Sequence, residues 1–374
     1  MSGIYIHIPF CKKACHYCDF HFSTSLKHKQ AFLAALKKEM ILRADEFTSE
    51  TVKTIYFGGG TPSMLEVDEI ESLLKTLAQN YKIIASPEIT LEANPDDLSD
   101  EKLKALSQTK INRLSIGVQS FGDKELQMMN RAHTAQEVRQ SLQTATTLFD
   151  TITIDLMYGI PRLSLKEWEN NIQQALDFGI THISSYALTV EEGTALHHFI
   201  QQKKYPALDE NLAAKHFDLL VKKLTQAGFD HYEISNFGKP NCYSKHNTSY
   251  WLGISYLGFG PSAHSYHNHI RSWNVANNSK YIKSLVDEVL PSEKEILTPK
   301  DRYNELLMTG LRTTWGVSLQ KIAMDFGTDR LLKLKKAVEP YTQHGTLIIE
   351  KNHLKTTKKG KFLADGIASN LFWV

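Results

Sequence analysis

The sequence predicts an α/β protein: a barrel-like parallel sheet flanked by helices, with a winged-helix-like module after it. Three observations predict this. Six short apolar runs, rich in β-branched residues, alternate with amphipathic stretches as far as Leu188, and such alternation implies right-handed βαβ crossovers and a sheet buried on both faces. Polar and glycine-rich phrases gather just after the strands, where a fold of this kind keeps its chemistry. From about Pro299 the composition turns helical and basic, and two short strands follow.

The first strand, Ile4 to Ile8, delivers a loop that holds Cys11, Cys15 and Cys18, three of four cysteines in the chain. A helical pattern runs from about Lys27 to Ala44. The second strand, Thr54 to Phe57, stops at Gly58-Gly59-Gly60-Thr61-Pro62, and a helix follows from about Glu66 to Asn80. Strands at Glu88–Glu92, Arg113–Val118, Thr151–Met157 and His182–Leu188 repeat the unit, each followed by a helix-like stretch. After an amphipathic helix from about Asn211 to Ala227, the segment Tyr232–Trp273 breaks into short pieces dense in Gly, Asn, His, Trp and Tyr. The tail reads as helices near Asp301–Leu311, Leu319–Phe326 and Arg330–Glu339, strands at Leu347–Glu350 and His353–Lys355, and a last helix. Three domains are expected: a core over 1–228, an extension over 229–298 and a module over 299–374.

A chain of 374 residues needs no disulfides to hold its core. With 43 basic against 41 acidic side chains, overall charge gives no reason to expect nucleic acid as a partner. The amino terminus lacks the pattern of a signal peptide and no apolar run approaches a membrane span. Few cysteines, clustered and unpaired, fit a reducing cytoplasm.

Three thiols at i, i+4 and i+7 leave one over however they are paired. They suit an iron-sulfur cluster with one iron left open; an incomplete zinc site and inert buried thiols are the other readings. Glycines at 58 to 60 let backbone amides approach a ligand, or make a tight turn. Glu92, Gln119, Arg131 and Asp155 stand at or just after strands. Singly each reads as a solvated strand end. Together they offer carboxylate, amide and guanidinium partners to a ligand with amino, carboxylate and ribose groups, with Tyr5, Tyr17 and Ala187 adding ring and backbone contacts. Rings and imidazoles in His246-Asn247-Thr248-Ser249-Tyr250-Trp251 and in the glycine-rich phrase after it suit a flat ligand, and His246 is a candidate axial ligand to heme iron. His267 and His269 read as surface residues. Cys242 lacks the pattern for covalent heme attachment.

The linked phrases resemble a known family. Cys-x3-Cys-x-Tyr-Cys followed by Gly-Gly-Gly-Thr-Pro resembles the radical S-adenosylmethionine (SAM) superfamily. Tyr5–Phe10, Leu91–Pro95, Arg113–Ser120 and Asp155–Pro161 resemble its oxygen-independent coproporphyrinogen oxidase family. The decarboxylating oxidases carry a fourth cysteine two residues after the third and a longer leading segment. This chain has Phe20 there, ten residues before Cys11, and the His-Asn-x-x-Tyr-Trp pattern of HemW-type heme chaperones. The resemblance implies a partial (β/α)6 TIM-like barrel of the radical SAM type, with Cys11, Cys15 and Cys18 ligating a [4Fe-4S] cluster. It places Tyr5, Tyr17, Gly59, Gly60, Thr61, Glu92, Gln119, Arg131, Asp155 and Ala187 around SAM. It further implies heme as cargo, an acceptor protein with possible membrane association, an electron donor for the cluster, and SAM cleavage without oxidase activity. Radical decarboxylation of coproporphyrinogen III is the enzyme alternative, and RNA modification a third reading.

Overall fold

The computed structural model describes residues 2–374. Its centre is a run of parallel strands in sequence order: β1 (Ser2–Ile8), β2 (Val52–Gly59), β3 (Ile83–Ala93), β4 (Arg113–Gln119), β5 (Ile152–Tyr158) and β6 (His182–Ala187). Between them come α1 (Lys29–Leu42), α2 (Val67–Asn80), α3 (Asp100–Ser107), α4 (Asp123–Met128), α5 (Ala135–Leu148) and α6 (Leu165–Asp177). β1 and β4 are buried on both faces along nearly their whole length, and the apolar runs seen in the sequence are the signature of that burial. Helix starts are written locally. Thr134 and Glu137 close a reciprocal capping box on α5, as Ser164 and Glu167 do on α6.

The barrel is partial because its edges never meet. Beyond β6 come α7 (Ala195–Gln201), α8 (Glu210–Gln226) and two short antiparallel strands, β7 (Asp230–His231) and β8 (Asn236–Gly238). On the other edge, β1 pairs in parallel with β9 (Tyr256–Phe259), which is reached through α9 (Lys245–Trp251). From β9 the sheet continues antiparallel through β10 (His264–His267), β11 (Ile270–Asn274) and, after α10 (Asn278–Val286), β12 (Ser292–Ile296). Residues 229–298 thus extend both edges of one twelve-stranded sheet. The extension is tied in by buried Glu39, whose carboxylate accepts from Tyr281 at 2.6 Å, Asn274 at 2.7 Å and Arg43 at 3.2 Å.

The carboxyl-terminal unit has a separate apolar core around Tyr303, Leu307, Ile322 and Leu354. It comprises α11 (Pro299–Leu311), β13 (Val317–Ser318), α12 (Leu319–Phe326), α13 (Thr328–Gln343), β14 (Leu347–Glu350), β15 (His353–Thr356), α14 (Lys358–Lys361) and α15 (Ala364–Asn370). Three helices and a wing are as expected. The ribbon has three strands instead of two, since Val317 pairs with Leu354, and the last helix is two short ones. Lys361 Nζ donates to the His231 carbonyl and Thr314 N to the Tyr232 carbonyl at 2.9 Å, so this unit leans on the main sheet.

Candidate functional site

The cysteine loop leaves the carboxyl end of β1 and is pinned by backbone hydrogen bonds. Cys11 N donates to Ser23 O at 3.1 Å and Ser23 N to Pro9 O at 2.8 Å, closing its base. His16 N donates to Met129 O at 3.1 Å and Asn130 Nδ2 to Ala14 O at 2.8 Å, which fixes its far side against the segment leading into Arg131. The thiols are half-buried, and burial pushes Cys11 up to about 11, opposed by the Thr61 hydroxyl that donates to its sulfur at 3.5 Å. Cys18 is raised for the same reason.

Gly60 shows what the glycine run accommodates. A Cβ there would lie 2.7 Å from Phe10 O and 2.9 Å from Ile8 O, so β2 passes directly against the root of the cysteine loop. Gly60 N also donates to Ile8 O at 2.9 Å. The close approach is of chain to chain.

Beside the loop lies a cavity of about 550 Å³ walled by Tyr5, Tyr17, Cys18, Glu92, Asp155 and Ala187. Phe20 also lines it, 71% exposed, and borders a neighbouring chamber that contains Gly59. The structure therefore gathers most of the residues the sequence singled out. Four stand one layer back. Arg131 donates to Cys15 Sγ at 3.3 Å and to Tyr17 at 3.4 Å; Gln119, at φ +65°, accepts from Tyr186 at 3.0 Å. Thr61 and Gly60 face the loop as described.

Two carboxyls share this cavity. Burial raises Glu92 to about 7, opposed by the Tyr56 hydroxyl that donates to it at 2.7 Å. Burial also raises Asp155 to about 7, opposed by Arg131 and by a hydrogen bond from Ser184. Sequence reasoning missed Tyr56, Ser115, Thr153, Ser184 and Tyr186, all of which line the wall. For Thr153, Ser184 and Tyr186 the signal was parity: Thr153 precedes Asp155 by two, and Ser184 precedes Tyr186 by two, so each pair shares a strand face.

His246 sits on α9, not in a loop, because Ser244 caps that helix by accepting from Asn247 N. Its ring is buried and stacks on Tyr56 at 5.0 Å. Both nitrogens are engaged, Nδ1 with Thr54 Oγ1 at 2.8 Å and Nε2 with the Tyr250 hydroxyl at 2.7 Å. Burial lowers its pKa to about 3. A bond from this ring to iron would require Tyr250 or Thr54 to let go.

The Radical SAM superfamily profile matches residues 5–175 and the HemN C-terminal domain profile residues 297–363. The chain is 34% identical to Heme chaperone HemW of Bacillus subtilis (strain 168), with 98% of each chain covered. The chain belongs to the HemW family. Family members also include Heme chaperone HemW of Lactococcus lactis, 33% identical with 98% of each chain covered. A mitochondrial Radical S-adenosyl methionine domain-containing protein 1 of Bos taurus is 31% identical over 99% of this chain and 87% of its own. The fold matches coproporphyrinogen III oxidase (HemN) from Escherichia coli with a TM-score of 0.86, at 22% identity, covering 99% of this chain and 90% of that one. The HemW-family chain thus has the radical SAM fold.

Membership of the radical SAM superfamily implies a [4Fe-4S] cluster and SAM. The donor set fits. Three thiols share one anchored loop, a hydroxyl and a guanidinium point at two of their sulfurs, and Arg131 Nε is buried with no hydrogen-bond partner among the described residues. Among the described residues no three His, Cys, Asp or Glu side chains close around a single ion. Ligands that each hold a separate iron have no need to.

Proposed function

We propose that this chain is a heme chaperone, binding heme and handing it to an acceptor protein from a radical SAM scaffold. The observation that carries the reading is similarity over nearly the whole length to proteins named Heme chaperone HemW, in a chain with Phe20 where the oxidases have cysteine.

In this reading Cys11, Cys15 and Cys18 hold the [4Fe-4S] cluster. When bound, the cluster supplies an open iron for the methionine amino and carboxylate groups of SAM and an electron that breaks a sulfonium C–S bond. Arg131 sets a fixed cation beside Cys15 and orients Tyr17. Glu92 and Asp155 offer carboxylates to the amino and ribose groups, while Tyr5, Tyr17 and Ala187 bound the cavity in which SAM lies. Gly60, Thr61 and Gln119 stand behind that wall, Gly59 borders the adjoining chamber, and His246 braces the wall through Thr54 and Tyr250. The division into 1–228, 229–298 and 299–374 belongs to the same proposal and is supported by the separate carboxyl-terminal core. No helix among the described residues is long and apolar enough to cross a membrane. We place the protein in the cytoplasm, served by an electron donor and delivering to an acceptor that is itself free or membrane-associated.

Titration of the purified protein with hemin, followed at the Soret band, tests the reading: a saturable site supports it, and unsaturable binding rejects it. The likeness to HemN keeps one alternative, decarboxylation of coproporphyrinogen III. Reduced, reconstituted protein given that substrate and SAM is expected to form no protoporphyrinogen while methionine and 5′-deoxyadenosine accumulate.

A further inference from the structure

A second cavity, of about 450 Å³, opens where the antiparallel end of the large sheet meets the carboxyl-terminal unit. That volume falls within the roughly 300–1,000 Å³ of ligand pockets. One wall comes from the end of α9 and from β9 to β11, the other from α11 and α12. Tyr250 borders both this cleft and the barrel cavity, so the His-Asn-x-x-Tyr-Trp helix is the partition between them. Rings of Trp251, Tyr256, Tyr266 and Phe326 alternate here with cations.

The cations differ in how they are occupied. Arg271 is bound to Glu295 at 3.0 Å and also to Glu305, and Lys321 is held by Asp325 at 2.7 Å. Among the described residues Arg302 has no carboxylate partner. Its Nη1 donates to His269 Nε2 at 3.2 Å, its guanidinium lies 6.0 Å from the Phe326 ring centre, and its Nε is buried with no hydrogen-bond partner. Folded chains ordinarily satisfy such a group, and an anion entering the cleft would do so.

His269 adds the second feature. It sits in the β10–β11 turn at φ +63°. A guanidinium offers only donors, so the Nε2 that it meets is the nitrogen with the free lone pair, and Nδ1 carries the proton, 3.5 Å from the Tyr266 hydroxyl. The lone pair now occupied by Arg302 is the one an imidazole gives to iron.

We infer that this cleft takes a flat, dianionic, iron-bearing tetrapyrrole, with Arg302 turning to a carboxylate of the ligand and His269 Nε2 freed for the metal. The inference rests on the heme-chaperone reading and gives the cargo a place. The step is a ligand exchange: the imidazole lone pair forms the bond to iron, a solvent ligand leaves the iron, and no electron is transferred. The cleft suits this better than the buried His246 ring, held at 2.8 Å by Thr54 and 2.7 Å by Tyr250, because His269 is exposed and its 3.2 Å contact with Arg302 breaks when that guanidinium turns to the ligand. Aromatic walls match the faces of the macrocycle, and a guanidinium that lacks a carboxylate partner among the described residues matches its acidic edge.

The test is hemin titration of the full chain as wild type, His269→Ala, Arg302→Glu, Arg302→Lys and Thr309→Trp, the last filling the cleft. Circular dichroism melts verify that each is folded. The expected result is a saturable site in the wild type and an altered Soret band and spin state in His269→Ala. Affinity should fall at least about tenfold in Arg302→Glu and Thr309→Trp, with Arg302→Lys close to wild type. Wild-type affinity and spectrum in His269→Ala, Arg302→Glu and Thr309→Trp would overturn the assignment of the cleft while leaving the chaperone reading in place. The absence of any saturable site in the wild type sinks both.

Discussion

Arg131 Nη1 lies 3.3 Å from Cys15 Sγ while Nη2 of the same guanidinium donates to Asn94 Oδ1 at 2.6 Å and to the Gly117 carbonyl at 3.0 Å. A charge held so firmly against one proposed cluster ligand favours whichever redox state is more negative. Arg131→Leu is therefore expected to make the cluster harder to reduce, by on the order of tens of millivolts, and Arg131→Lys less so. An anaerobic potentiometric titration read by electron paramagnetic resonance measures this; equal potentials in all three proteins would remove Arg131 from the proposed role.

Replacing Cys11, Cys15 or Cys18 by alanine is expected to abolish iron loading after anaerobic reconstitution, with little change in melting temperature, because the half-buried thiols lie on a loop outside the apolar core. Cys242→Ala should load normally. Iron and sulfide content per chain decides it.

Glu92 and Asp155 are both raised to about 7 by burial. Folded, they hold protons more tightly than unfolded. The stability each contributes is thus fully present below its ordinary range near 4 and is lost as pH rises through about 7. Allowing for the water their cavity admits, the loss for the pair is on the order of 1–2 kcal/mol. Melts at about pH 5 and about pH 8.5 should show it, and Glu92→Gln with Asp155→Asn should flatten that component of the profile.

Gly60→Ala places a methyl 2.7 Å from one backbone oxygen and 2.9 Å from another, neither of which can swing aside. A loss of about 1–3 kcal/mol is expected, together with weaker iron loading as the root of the cysteine loop shifts. Gly366→Ala, with nothing within 4 Å and a helical position, is the control and should be neutral or slightly stabilising. Chemical denaturation of the two variants compares them directly.

His246→Ala removes the ring that links Thr54 to Tyr250. A cost of about 2–4 kcal/mol is expected, from the cavity and from the buried Thr54 hydroxyl left without its partner. If the ring only braces the wall, hemin affinity measured well below the melting temperature stays at the wild-type value. A lost or shifted Soret band in a folded His246→Ala protein would instead make this ring a heme contact.

The strand series could be read from the sequence because most of the parallel strands carry a short apolar run, buried on both faces and stopped by a turn phrase. The same burial hid part of the site. Ser115 and Thr153 sit among Leu, Ile and Val, where near-continuous apolarity masks the two-residue alternation that carries them into the cavity, and Ser184 is one of two adjacent serines with nothing local to say which faces inward. The pairing of β9 with β1 left no local mark, since Tyr256 and Gly3 meet across most of the chain. Val317 and Ser318 form a strand too short to show a period at all.

By itself the sequence determined the alternating architecture, through apolar runs between turns, and narrowed the metal chemistry to a few readings through three thiols on one loop; the family resemblance of the linked phrases then chose among those readings. Tertiary structure alone decided what surrounds each imidazole. His246 spends both nitrogens on partners brought by β2 and by its own helix. His269 meets Arg302, 33 residues on, only because the carboxyl-terminal unit packs against the end of the sheet. Contacts between distant segments follow from which surfaces bury each other, and no local pattern of residues encodes that.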